Sequence, residues 1–147
     1  MTATYDMDPT VMLPPTPGRR WTIAKQLGIE TAVVRFWGVS QWWEYETLQQ
    51  TAARFDDHGF SLDVVEDRPP MENTVLGRAG RDDEIERVKT LIENMGRLGI
   101  DTYCWVWTEN PLGVIRTSDS VPGRGGSQRI GYDHGWMERA PNHAAAD

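Results

Sequence analysis

The sequence predicts an α/β fold, with about four parallel strands, helices between them, and a β-hairpin excursion after the fourth strand. Three stretches carry this expectation. Leu98-Gly99-Ile100-Asp101-Thr102-Tyr103-Cys104-Trp105-Val106-Trp107 ends an amphipathic run, turns at a glycine and continues in aromatic and β-branched residues. The same order recurs as Leu27-Gly28-Ile29-Glu30-Thr31-Ala32-Val33-Val34-Arg35-Phe36-Trp37. A looser copy is Asp57-His58-Gly59-Phe60-Ser61-Leu62-Asp63-Val64-Val65-Glu66-Asp67. Glycine takes the left-handed conformation that closes a helix, and the residues after it suit a pleated, buried surface. Helix, glycine and strand in series build parallel strands joined by helices.

The elements follow in order. Residues 1–9 are a polar lead-in. The apolar run stopped by Pro14-Pro15 gives a first strand over 10–13. Thr16-Pro17 puts proline at a first helical position, so the first helix spans about 17–27 and turns Trp21, Ala24 and Leu27 toward the sheet. The second strand is 31–36. Ser40 then caps a helix over about 41–57, with Tyr45, Leu48, Ala52 and Phe55 on one stripe. His58 stands at its C-terminal end, where the helix dipole favours a cation. The third strand, 61–66, buries Leu62, Val64 and Val65. Asp67 to Gly80 forms a longer loop, a length that within a compact domain carries function or motion. The clearest helix is 81–98: Ile85, Val88, Leu91, Ile92, Met95 and Leu98 keep a three-four rhythm, and Asp82, Asp83 and Glu84 crowd its positive end. The fourth strand is 102–107. Two strand-like stretches then flank the tip Pro122-Gly123-Arg124-Gly125-Gly126, a hairpin over about 112–132. A helical pattern at 136–140 is stopped by Pro141.

A chain of 147 residues is one domain or part of one. No apolar run approaches the roughly 20 residues that span a bilayer, and Asp6 and Asp8 precede any basic residue, unlike a secretory signal. The expected location is cytoplasmic, with no membrane partner. Cys104 is the single cysteine, so no internal disulfide can form, and in a strand it is expected as a small buried hydrophobe. The net charge of -7 argues against a nucleic-acid partner, which needs a basic footprint. The arginines Arg19, Arg20, Arg116, Arg124 and Arg129 suit a small anionic ligand better than a duplex, though each taken singly is more in keeping with a solvated surface residue.

Two architectures repeat βα units, the closed eight-fold barrel and the open doubly wound sheet. A barrel uses roughly 250 residues, about 31 per unit, and the units here have that size apart from the third. An open nucleotide-binding sheet wants a Gly-rich phosphate turn after its first strand. Pro14-Pro15-Thr16-Pro17-Gly18 stands there instead, and the chain has no GxGxxG or Walker pattern. The expectation is therefore a partial (β/α)8 TIM barrel, the N-terminal half, forming one domain over 1–147. Half a barrel leaves strand edges and one sheet face open, which invites a homo-oligomer or pairing with a missing C-terminal half.

At Val64-Val65-Glu66-Asp67, at Leu98-Gly99-Ile100 and at the Arg116-Thr117 turn, the chain resembles the mannonate dehydratases of the xylose-isomerase-like TIM-barrel group. The resemblance runs from about Val11 to Pro141 and includes a hairpin leading to a Phe-Asp-like segment, here Tyr132-Asp133. Ser118 and Arg124-Gly125-Gly126 mark a divergent branch. The resemblance implies a lyase of hexuronate (glucuronate) catabolism that converts D-mannonate to 2-keto-3-deoxy-gluconate and water. It also implies a divalent metal, manganese-like in this family, whose His, Cys and Asp ligands come from later strands and have no counterparts here. The chain is then expected to be a fragment, inactive alone. A sugar isomerase or epimerase on the same barrel, and a non-catalytic carbohydrate-binding or assembly module, are the alternative readings.

In a barrel of this kind chemistry sits at the C-terminal ends of the strands, a rule that selects Arg35, Trp37, Glu66, Asp67, Trp107, Glu109 and Arg116. Glu66 ends an apolar strand, either as an acceptor for substrate hydroxyls or as an ion-pair partner of Arg35. Arg116 is placed to clamp a sugar-acid carboxylate bidentately or to anchor the hairpin. Trp37, Trp42, Trp43 and Trp107 offer rings for sugar stacking or for packing. Arg35, Glu66, Arg116 and Trp107 are thus the candidate substrate-binding residues, no residue is assigned to proton transfer, and no metal site is expected, since His58, His134 and His143 join no ligand pattern.

Overall fold

Each passage from helix to strand turns on a glycine held at positive φ: Gly28 and Gly59 at 74° and Gly99 at 71°. The computed structural model, which describes residues 8–105 and 117–137, divides into two compact units, 1–107 and 108–147. The first runs β1 (Thr10–Leu13), α1 (Arg19–Gln26), β2 (Thr31–Val34), α2 (Tyr45–Asp57), β3 (Ser61–Val65), α3 (Glu72–Val75), α4 (Arg81–Leu98) and β4 (Thr102–Tyr103). Its strands lie in the order β1-β2-β3-β4, every neighbouring pair parallel. A doubly wound sheet reverses its strand order at a switch point. Here sequence order and spatial order coincide, the arrangement of consecutive units in a (β/α)8 barrel.

The register sorts side chains by face. Leu13, Val34, Val65 and Tyr103 share one row across the four strands, and Met12, Val33, Val64 and Thr102 share the row before it. Alternation sends these rows to opposite faces. The first row meets the helices, and Leu13, Ala32, Val34, Leu62 and Val65 bury against Trp21, Ala24, Leu48, Phe55, Leu91 and Met95. Trp21 stacks on Phe55 with ring centroids 4.2 Å apart, and Phe60 meets Trp21 edge-on at 5.4 Å. Burial of one such side chain contributes roughly 1.5–3 kcal/mol, so this aromatic group anchors the helix layer. Met12, Val33 and Val64, on the other face, stay half-exposed, which corrects the expectation that Val64 is buried.

Several helix details depart from periodicity. The first helix starts at Arg19 and leaves Leu27 as a 72% exposed C-cap, because Gly28 turns the chain away before Leu27 can reach the sheet. The second starts at Tyr45, with Glu44 and not Ser40 at the N-cap position and no side-chain capping bond. Gln41 sits at φ 51°, a left-handed conformation that cannot begin a helix, and Trp42 is spent on a parallel stack with Phe36 at 4.9 Å. Thr51 takes a buried place on that helix beside Leu48 and Phe55, and its hydroxyl is satisfied by the Thr47 carbonyl at 2.8 Å. On α4 the buried residues are Glu84, Leu91, Asn94 and Met95, whereas Ile85 and Ile92 are exposed. The short α3 lies inside the stretch expected to be loop. Cys104 is exposed: its amide still pairs with the Val65 carbonyl at 2.9 Å, but its position after Tyr103 turns it to the open face at the sheet edge.

The second unit is an antiparallel hairpin of β5 (Ser118–Pro122) and β6 (Gln128–Gly131), joined by a 3-10 turn at Arg124–Gly126 and followed by the four-residue α5 (His134–Met137). Thr117 closes its open end. The Thr117 amide donates to the Gly131 carbonyl at 3.0 Å, and its hydroxyl accepts from the Asp133 amide at 2.7 Å.

Candidate functional site

One step beyond the row Leu13-Val34-Val65-Tyr103, the ladder continues as the Glu66 amide donates to the Val34 carbonyl at 2.9 Å and Cys104 does the same to Val65. The register therefore sets Arg35, Glu66 and Cys104 side by side on the open face, at the C-terminal ends of β2, β3 and β4. Arg35 and Glu66 are brought together as neighbours on adjacent strands. Among the described residues no ion pair joins them. The Arg35 guanidinium lies over the Trp37 ring at 5.0 Å, and its Nε is buried with no hydrogen-bond partner. Trp37 is 54% exposed. A cation held on an aromatic face, with its Nε donor unused, is equipped to receive an anion. Trp107 and Arg116, with Glu109, lie outside the described residues.

The loop that carries this pair is fixed from several sides. Val39 donates to the Phe36 carbonyl at 3.1 Å, with Gly38 at φ 74° closing the turn that presents Trp37. Phe36 is buried, and its amide donates to Asp67 Oδ2 at 2.9 Å, while the other carboxylate oxygen accepts from the Arg68 amide at 2.9 Å. The Asn94 side chain reaches from α4 to the Trp43 carbonyl at 3.0 Å. Trp42 and Trp43 meet edge-on at 6.1 Å; Trp42 is buried and Trp43 half-buried, whereas Trp37 is exposed.

Behind the loop after β3, Glu84 holds α3 against α4. It accepts from the amide and side chain of Asn73 at 3.3 and 2.9 Å, and from the amide and hydroxyl of Thr74 at 2.7 and 2.8 Å. Burial works to raise its pKa, but those bonds outweigh it and hold the carboxyl below the usual 4.5. Tyr103 is different. Burial, with the charge of Asp67 adding to it, pushes the phenol up to about 12, and its hydroxyl has no partner. Neither Glu84 nor Asp67 stands out in the sequence as a clamp, because both partners of Asp67 and two of the four of Glu84 are backbone amides that any non-proline residue supplies.

The family implied by the sequence carries a divalent metal, and the donor chemistry here does not fit one. Among the described residues no three of His, Cys, Asp and Glu converge. Both Asp67 oxygens and both Glu84 oxygens are taken by donors, and the His58 ring is engaged with the Arg54 carbonyl at 2.8 Å.

The D-mannonate dehydratase (UxuA) family model matches residues 22–145. This chain belongs to the mannonate dehydratase family. It is 35% identical over 76 residues to mannonate dehydratase 2 of Halalkalibacterium halodurans, a match covering 48% of this chain and 22% of that protein. To the mannonate dehydratase of Streptococcus equi subsp. zooepidemicus it is 35% identical over 91 residues, 58% of this chain and 25% of the relative. The crystal structure of mannonate dehydratase from Streptococcus suis serotype 2 superimposes with a TM-score of 0.75 at 22% identity, over 94% of this chain and 40% of that one. The chain therefore spans well under half the length of the mannonate dehydratases it matches. Among the described residues no helix is long and apolar enough to cross a membrane.

Proposed function

We propose that this chain supplies the substrate-holding part of a mannonate dehydratase-like hydro-lyase acting on D-mannonate. The observation that carries the reading is the Arg35 guanidinium, stacked on exposed Trp37 with a buried and unused Nε, next to Glu66 at the strand ends. Dehydration takes the proton α to the carboxylate, turns that C–H pair into a C=C bond and releases the neighbouring hydroxyl as water. The resulting enol becomes the 2-keto-3-deoxy acid. Negative charge builds on the carboxylate oxygens as the α-proton leaves, so an arginine paired with that carboxylate favours the charged state reached in the reaction. Glu66 accepts hydrogen bonds from sugar hydroxyls and fixes which carbon faces the base. Arg116 and Trp107, outside the described residues, are proposed as further substrate-binding residues. The metal, manganese in this reading, is held by ligands other than the described residues. We further propose that the half-exposed sheet face and the β1 and β4 edges pair with a second copy.

Calorimetric titration of the 147-residue chain with D-mannonate tests the binding role. Arg35→Met is expected to weaken binding by about tenfold or more, the scale of a lost charge-assisted pair, and Glu66→Gln by less. Equal affinity of wild type and Arg35→Met overturns the assignment. Addition of Mn2+ to the same sample is expected to give no turnover, and formation of the 2-keto acid would refute the inactivity of this chain alone.

A further inference from the structure

The geometry points to Asp67 as a positioning residue, whose carboxylate sets the Arg35–Trp37 pair in place through the backbone amide between them. This rests on the sugar-acid reading above for its purpose, but not for its test. The third strand ends at Val65, and the amide of Phe36 is received by a side chain where a strand would offer a main-chain carbonyl. Asp67 Oδ2 takes that place at 2.9 Å, and Oδ1 holds the Arg68 amide at 2.9 Å. One side chain thus ties the end of β2 to the start of the loop after β3. Phe36 has its ring wedged parallel on Trp42 at 4.9 Å, so the residue is pinned at its amide and at its ring. The peptide plane between Arg35 and Phe36 then has no freedom to rotate. That plane decides how Arg35 leaves the sheet, and the tight turn from Phe36 to Val39 decides where Trp37 meets it.

Among the described residues no ion pair joins Asp67 to the Arg35 guanidinium. Asp67 acts by orientation. An aspartate fits where a longer or neutral side chain does not, because a carboxylate offers two acceptors to two amides in fixed directions, and charge-assisted bonds to backbone N–H are the stronger kind.

The test uses nitrogen-15-labelled 147-residue chain and reads the Arg35 Nε–H signal by NMR, identified by its loss in Arg35→Lys. In the wild type the proton is expected upfield under the Trp37 ring and slow to exchange with water, and Trp37→Leu removes the upfield shift. Asp67→Ala is expected to move the signal toward its free position and to speed its exchange by about tenfold or more. Asp67→Asn, which keeps the volume and one acceptor, is expected to fall between. An unmoved Arg35 signal in either folded variant overturns the proposal. Loss of folding in both also overturns it, since the carboxylate would then support the whole sheet and not the pair. D-mannonate titrated into the same samples keeps the two readings apart: a wild type that ignores the ligand while Asp67→Ala still displaces Arg35 sinks the substrate assignment and leaves the positioning role standing.

Discussion

At the scale of single residues, Glu84 is one carboxylate accepting four hydrogen bonds, and 4% of it is exposed. Its removal leaves two backbone amides and two side chains of Asn73 and Thr74 without their acceptor. Glu84→Ala is therefore expected to cost about 2–3 kcal/mol in urea melts, and Glu84→Gln less. The folded carboxyl lies below 4.5, so its stabilisation is complete above the unfolded value and is lost as pH falls through the folded one. The gap between wild type and Glu84→Gln should be widest at neutral pH and shrink below pH 4.5. Tyr103 titrates in the opposite sense. Its phenol is raised from 10.0 to about 12, so the protein is expected to lose stability between those values as the unfolded chain ionises first. Tyr103→Phe deletes a buried hydroxyl with no partner, and should leave stability unchanged or raise it by up to about 1 kcal/mol, while removing that alkaline phase from an ultraviolet titration.

At the scale of elements, Gly99 closes α4 at φ 71° with nothing within 4 Å of where a Cβ would stand. Gly99→Ala is thus a backbone experiment alone, expected to cost about 1 kcal/mol in denaturant midpoints with no cavity or clash. The glycines that close helices, the parallel strands between them and the later hairpin could be read from the sequence, because each rests on local chemistry: positive φ, β-branching, turn residues. Which face of a helix is buried could not be read so well. Periodicity put Ile85 and Ile92 inward on α4, yet Asn94 and Glu84 take buried places there because each has a backbone target on another element. The site shows the same division. Arg35 and Glu66 could be named from their places at strand ends, whereas Asp67 as a clamp depends on the bend of β3, which no spacing of residue types encodes. Cys104 is exposed and not buried for a related reason, since a terminal edge position outweighs a hydrophobic preference.

At the scale of the whole chain, the first unit keeps its core on the helix side of the sheet and leaves Met12, Val33 and Val64 half-exposed on the other. Parallel edges and half-covered apolar faces favour self-association in water. Size-exclusion chromatography with light scattering is expected to show a species heavier than one chain, and Val33→Lys, placing a charge in the middle of that row, to shift it toward monomer. A concentration-independent monomer in the wild type would remove the proposed pairing.

The amide of Asn94 belongs to the outer layer, yet its hydrogen bond ends on the Trp43 carbonyl, within the segment that displays Trp37. A residue of the helix layer therefore bears on the segment that carries the proposed Arg35–Trp37 pair, and variant libraries confined to that pair would overlook this lever.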